Sequence, residues 1–299
     1  MNIYRAISAN IVKSYIIIAL FVVFAGTVAY IIGQATGSGS SWGVLIFIMA
    51  IVYSFISYFY SDKIVLATSG AKEIKKSDNP ELFRIVENLS IGDGLPMPRV
   101  YIINDPSPNA FATGRDPKHA AVAATTGILA RLNKAELEGV LAHELSHVKN
   151  YDTRLMAITA VMVGFISLLT NMFMNTLFWG GFRNNNERNN NSQAIFFVIA
   201  LILAILAPII ATLIQLAVSR KRELLADASG ALLTRYPEGL ASALEKISSD
   251  PRPLRTASEA TAHLFIVNPF KNKGFNGWVT NLFSTHPPTE ERIKILRSM

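Results

Sequence analysis

The sequence predicts an α-helical membrane protein: four transmembrane helices carrying a mixed α+β soluble part, which the second helix pair splits in two. Three observations lead there. Hydrophobic residues make up 51% of the chain and charged residues only 16%, with a mean hydropathy of +0.32, well to the apolar side of globular norms. Three long stretches, 14–61, 155–182 and 189–219, hold no Asp, Glu, Lys or Arg. The rest carries ordinary helix caps, short β-prone runs and turn residues.

Gly37-Ser38-Gly39-Ser40-Ser41 divides the first stretch into Tyr15–Gly33 and Trp42–Tyr60, each of 19 residues. About 20 helical residues cross the hydrocarbon core. The first segment exceeds the ~7–15 residues of a signal-peptide core and shows no small-x-small cleavage site, so an uncleaved anchor is expected. Met156–Trp179 and Ala194–Val218 read as spans three and four. Asn171 and Asn175 suit hydrogen bonding between packed helices, and Pro208 a kink.

Lys63, Lys72, Lys75, Lys76, Lys149, Arg154 and the triplet Arg220-Lys221-Arg222 flank one set of span ends as basic anchors. The Ser/Gly turn at the opposite ends is uncharged; the Asn-rich turn 183–191 carries two Arg and one Glu. This bias predicts a multi-pass protein of the cell membrane with both termini in the cytoplasm. The division is 1–61, the N-terminal helix pair; 62–155, the first soluble half; 156–218, the second pair; and 219–299, the second half. Spans three and four return the chain to the side it left, so both halves face the same water.

The net charge of +7 lies at span ends, with no aromatic-basic platform, which argues against nucleic acid as a partner. There is no cysteine, so disulfides and thiolate metal sites are excluded and any metal must be held by His, Asp or Glu.

In the first half, Asn79-Pro80 opens an amphipathic helix ended by Gly92-Asp93-Gly94. Arg99–Ile103 and Ala120–Thr125 read as strands, and Asn109-Ala-Phe-Ala-Thr-Gly114 as an edge strand. Asn133, with Glu136 three residues on, caps a helix running through His147. In the second half, helices are expected over 220–236, from Pro237 through Ile247, and from Pro288 to the C-terminus.

The helix opened by Asn133 carries His143-Glu144-Leu145-Ser146-His147. Imidazoles four residues apart leave a helix on one face and can grip one zinc ion, with Glu144 beside a metal-bound water. That equips the chain for hydrolysis by a zinc-activated water, as a zincin-like metallopeptidase does. A catalytic zinc takes a third protein ligand. His119, His263, His286 and the tail carboxylates qualify by topology. Glu223 and Asp227 lie one helical turn apart, placed so that one could bind metal while the other accepts from a ligand imidazole; a solvated i, i+4 pair is the plainer reading.

Taken together, His143-Glu144-x-x-His147, the later Glu223-x-x-x-Asp227, Asn109-Ala-Phe-Ala-Thr-Gly114, Thr285-His-Pro-Pro288 and the paired spans resemble the HtpX-type membrane zinc metalloproteases, relatives of the prenyl-protein (CAAX) endoproteases. The resemblance spans essentially the whole chain. It implies one Zn2+ per chain on His143, His147 and Glu223, with Glu144 as general base and Asp227 behind the ligands. It also implies that Asn109 holds substrate backbone as an added strand, and that His286 and Arg292 stabilise the oxyanion.

The partners implied are the lipid bilayer, membrane-protein or polypeptide substrates, damaged ones above all, and other membrane quality-control proteases. His147 precedes span three by about eight residues and Glu223 follows span four by about five, which puts both within roughly 7–15 Å of the membrane face. Three alternatives stay open: a dedicated processor of one lipidated tail, a metal-binding membrane sensor or transporter, and a scaffold with an accidental pentapeptide. The transporter lacks the ionisable residues expected inside spans.

Overall fold

Asn79 accepts a hydrogen bond from the Leu82 amide, Pro80 occupies the first helical turn, and Gly94 closes the helix at φ 69°. These local signals bound a helix at Pro80–Asp93 whose buried Leu82, Ile85, Val86 and Leu89 follow a helical period. The computed structural model describes residues 3–35, 40–162, 198, 220–258, 261–269 and 287–299.

Two long helices open the chain, α1 (Ile3–Ala35) and α2 (Ser40–Thr68), packed on each other. The first soluble half follows as β1 (Ala71–Glu73), α3 (Pro80–Asp93), β2 (Arg99–Ile103), β3 (Ala110–Thr113), β4 (Ala121–Thr125), α4 (Thr126–Arg131) and α5 (Lys134–Lys149). A further helix begins at 152–162. Beyond it come α6 (Arg220–Thr234), α7 (Pro237–Ser248) and α8 (Thr289–Leu296). The second soluble half returns to the first: α5 packs against both α6 and α7.

The sheet has the order β1-β2-β4-β3. β2 and β4 run parallel, Arg99 opposite Ala121, while β1 and β3 flank them antiparallel. β3 is therefore an edge strand, and α5 packs directly on it. One core joins α3, α5, α7 and one sheet face, through residues such as Val86, Val122, Leu141, Leu145 and Leu244. Phe111, Ala123, Leu264 and Phe265 lie in the core of the other face. β1 and α4 are too short to show a period and were not legible in the sequence.

Counted over the described residues alone, no helix is long and apolar enough to cross a membrane. Most of Met156–Trp179 and nearly all of Ala194–Val218, along with the Asn-rich turn and His286, lie outside the described residues. Two basic residues expected as lipid-facing anchors turn inward instead. Arg154 is buried, stacks over the rings of Tyr15 and Tyr58 and donates to the Tyr58 hydroxyl. Arg222 is buried on an ion pair with Asp152. A carboxylate for Arg222, and a hydroxyl with two rings for Arg154, offset the loss of solvent around each guanidinium.

Candidate metal centre

α5 is set in place by a complete capping box, Asn133 accepting from Glu136 N while the Glu136 carboxylate accepts from Asn133 N. Its buried face then carries His143, Glu144 and His147 into the interior. α6 lies against it so closely that a Cβ on Gly230 would meet His143 N at 2.9 Å. Glu223, Asp227 and Gly230 share one face at i, i+4 and i+7. The close approach at Gly230 thus delivers both carboxylates to the histidines.

His143, His147 and Glu223 form the group of potential metal ligands among the described residues, their ligand atoms all within 4.8 Å of one another. The two Nε2 atoms face each other at 3.2 Å. Glu223 brings Oε1 to 3.4 Å from His147 Nε2 and Oε2 to 3.7 Å from His143 Nε2. A tetrahedral ion with ligand bonds of about 2.0–2.1 Å spans edges of roughly 3.3 Å, so the triangle fits.

The outer nitrogens explain how both Nε2 atoms would present lone pairs to a metal. His143 Nδ1 donates to Asp227 Oδ1 at 2.9 Å, and His147 Nδ1 donates to Asp152 Oδ2 at 3.0 Å. A carboxylate at Nδ1 fixes the hydrogen there and leaves Nε2 as the metal-binding atom. Each carboxylate is in turn held by an arginine. Arg292 donates to Asp227 through Nε at 2.8 Å and Nη2 at 2.7 Å, and Arg222 Nη1 donates to Asp152 Oδ1 at 2.7 Å.

Burial lowers the pKa of His143, outweighing the Asp227 carboxylate. Burial presses His147 the same way, but Glu223 and Asp152 lift it well above the ordinary range. Asp227 is held down at about 2: burial would raise it, and the Arg292 charge and hydrogen bonds prevail. Two buried imidazoles aimed at each other beside a buried carboxylate make a cation seat.

Glu144 is buried next to this triangle, its Oε2 accepting from the Ala112 amide of β3 at 2.9 Å. Burial pushes its pKa up to about 8, with the Glu223 charge adding and His147 opposing. A carboxyl near neutrality beside a metal seat is matched to moving a proton.

Of the other expected site residues, Arg292 is buried and aims at Asp227, with Nη1 also donating to the Ile266 carbonyl at 3.1 Å. Asn109 directly precedes β3. Its Nδ2 donates to the Val267 carbonyl at 3.0 Å and its Oδ1 accepts from Ala110 N. Ile266 N donates to Ala110 O along the same outer edge. His119 pairs with Asp116 in an exposed turn, and His263 Nε2 lies 3.1 Å from Met156 O; neither joins the metal group.

Asp152 was missed in the sequence. Tyr151, at φ 60°, turns the chain back so that Asp152 lies under His147. The available signal was an acidic residue five positions after His147, just ahead of the uncharged run 155–182.

A helix-borne histidine pair, a glutamate between the two and a carboxylate from a later helix, set beside an edge strand, define a zincin-type metalloprotease. Residues 76–299 match the model of peptidase family M48. Two Protease HtpX homologs are similar over nearly the whole chain. That of Tropheryma whipplei (strain Twist) is 49% identical over 99% of this chain and 98% of its own. That of Dictyoglomus thermophilum is 47% identical over 99% and 94%. The crystal structure of S. mikatae Ste24p shares the fold, with a TM-score of 0.51 at 18% identity over 95% of this chain and 67% of that one. The chain belongs to peptidase family M48 and is an HtpX-type metalloprotease.

Proposed function

We propose that the protein is a zinc endopeptidase of the cell membrane that cleaves membrane-borne polypeptides on the cytoplasmic side, with Glu144 as its general base. The facing Nε2 atoms at 3.2 Å, each with its Nδ1 committed to a carboxylate, carry the reading. His143, His147 and Glu223 would hold the zinc, which supplies a Lewis-acid centre that acidifies water and polarises a carbonyl. Glu144 takes the water's proton and returns it to the leaving amine. Substrate lies along β3 as an added strand. Since segment 266–267 already bonds this edge, through Ile266 N to Ala110 O and Asn109 Nδ2 to Val267 O, substrate contact at Ala110 and Asn109 requires both bonds to exchange. His286 serves as an oxyanion donor. Arg292, bound to Asp227, acts by holding His143.

The membrane setting is supported by apolar residues left exposed on α1 and α2, among them Ile16, Leu20, Val23, Ile51, Val52 and Phe55. A patch of that extent marks a lipid or protein contact. The test is metal analysis of the purified full chain, then casein cleavage with and without chelator. One zinc per chain and chelator-sensitive cleavage are expected; cleavage that persists without metal overturns the reading. Comparing a membrane-inserted substrate with its soluble fragment tests the location, where equal rates count against it.

A further inference from the structure

We infer that Asn10, on the N-terminal helix α1, is a positioning residue of the metal centre, acting through Asp152 on His147. The inference rests on the metal-site reading above. Asn10 is 1% exposed, and its Nδ2 donates twice across a separation of about 140 residues. One bond runs to the Asn150 carbonyl at 2.8 Å and the other to Asp152 Oδ1 at 2.6 Å. Asn150 is the C-terminal cap of α5, the helix that bears both histidines. One amide therefore fixes the Asp152 carboxylate relative to the end of that helix.

Asp152 Oδ1 receives Asn10 and Arg222 together, which leaves Oδ2 for His147 Nδ1. Without Asn10, Oδ1 keeps the Arg222 tether alone and the carboxylate can pivot about it. The imidazole then loses its fixed direction, and metal affinity depends on that direction.

Asn10 Oδ1 is buried with no hydrogen-bond partner among the described residues. A buried unmet acceptor costs about 1–3 kcal/mol, so an apolar side chain would suit mere packing better. The two donated bonds are what the position gains. The apolar packing of α1 lies further along, where Ile17 and Phe21 meet Leu155, Ile158 and Met162.

The two imidazoles thus have different supports. His143 is backed by Asp227 and Arg292 of the C-terminal helix; His147 is backed by Asp152, to which the N-terminal helix is bonded directly. Displacement of α1 would be felt at His147 first.

The test measures zinc affinity of the detergent-solubilised full chain by competition with a chromophoric chelator. Asp152→Asn should weaken zinc about 10–100-fold and Asn10→Ala roughly 3–10-fold, with Asn10→Ser, which keeps one donor, in between. The Asn10→Ala/Asp152→Asn double variant should bind no more weakly than Asp152→Asn alone, since Asn10 acts through that carboxylate. Phe21→Ala, which loosens α1 without touching Asp152, should stay within about twofold of the parent, a mere packing effect. Parental affinity in Asn10→Ala and Asn10→Ser overturns the inference, as does an equal loss in Phe21→Ala. A parental chain without stoichiometric zinc overturns the metal-site reading and this inference with it.

Discussion

Glu144 Oε2 accepts a 2.9 Å hydrogen bond from the backbone amide of Ala112, which ties the proposed base to the edge strand along which substrate would lie. A glutamine in that place still offers a carbonyl oxygen to the Ala112 amide but cannot take up a proton. Glu144→Gln should therefore keep its fold and its zinc while peptide cleavage falls by at least about 10²–10⁴-fold. Zinc content by atomic emission and kcat on a fluorogenic peptide check this together. Parental cleavage would remove Glu144 from the chemistry.

The same carboxyl makes the stability of the zinc-free protein depend on pH. In the unfolded chain Glu144 ionises near 4.5, whereas burial keeps it protonated in the fold up to about 8. Between those values the native state holds the extra proton, so stability falls as pH rises, by on the order of 5 kcal/mol at most. Asp227 works the other way: with its folded pKa at about 2, its contribution is present above about pH 4 and is lost toward pH 2. Urea midpoints in EDTA from pH 5 to 8 should decline in the parent and decline less steeply in Glu144→Gln, where His147, whose pKa is also raised in the fold, still contributes. A flat parental profile would mean that Glu144 is not buried in the zinc-free fold.

Much of this site was legible because its signals are local. The capping residues Asn79 and Asn133, the Gly94 terminator and the histidine spacing each act within one or two helical turns, and the elements they bound match. The buried ion pairs of Arg222, Arg292 and Asp152 were not legible, and Arg292 entered the site only through the family resemblance. Each of the three is a charged residue whose burial depends on a partner between 5 and 70 residues away, and composition alone reads such residues as surface. The role of Asp152 needs the left-handed turn at Tyr151, a conformation that a tyrosine rarely announces.

Gly230 gives a packing prediction. A methyl group there would sit 2.9 Å from His143 N and 3.2 Å from its Cα, so Gly230→Ala must push α6 away from α5. Since α6 carries Glu223, stability should drop by roughly 1–3 kcal/mol and zinc should bind more weakly. Gly92 is the control, because a Cβ there meets the end of the Leu233 side chain at 3.3 Å, which can move aside. Gly92→Ala should be neutral or slightly stabilising with zinc affinity unchanged. Thermal unfolding with and without zinc reads both effects; equal behaviour of the two variants would exclude close helix contact as the device that delivers Glu223.

Arg292 decides between two roles for a buried guanidinium. Its Nε and Nη2 grip both oxygens of Asp227, and Nη1 lies 3.8 Å from Glu223 Oε2. Removing it leaves Asp227 buried with His143 as its remaining donor, a change that costs about 3–5 kcal/mol. Arg292→Ala should therefore lose stability and zinc affinity along with activity. Arg292→Met combined with Asp227→Asn, which removes both charges, should recover part of the stability, because no unpaired ion is left behind. A residue whose work was confined to an oxyanion would behave differently: kcat would collapse while the unfolding midpoint and zinc content held. Chemical denaturation, zinc titration and kcat measured on the same preparations separate these outcomes, and the bidentate grip on Asp227 favours the first.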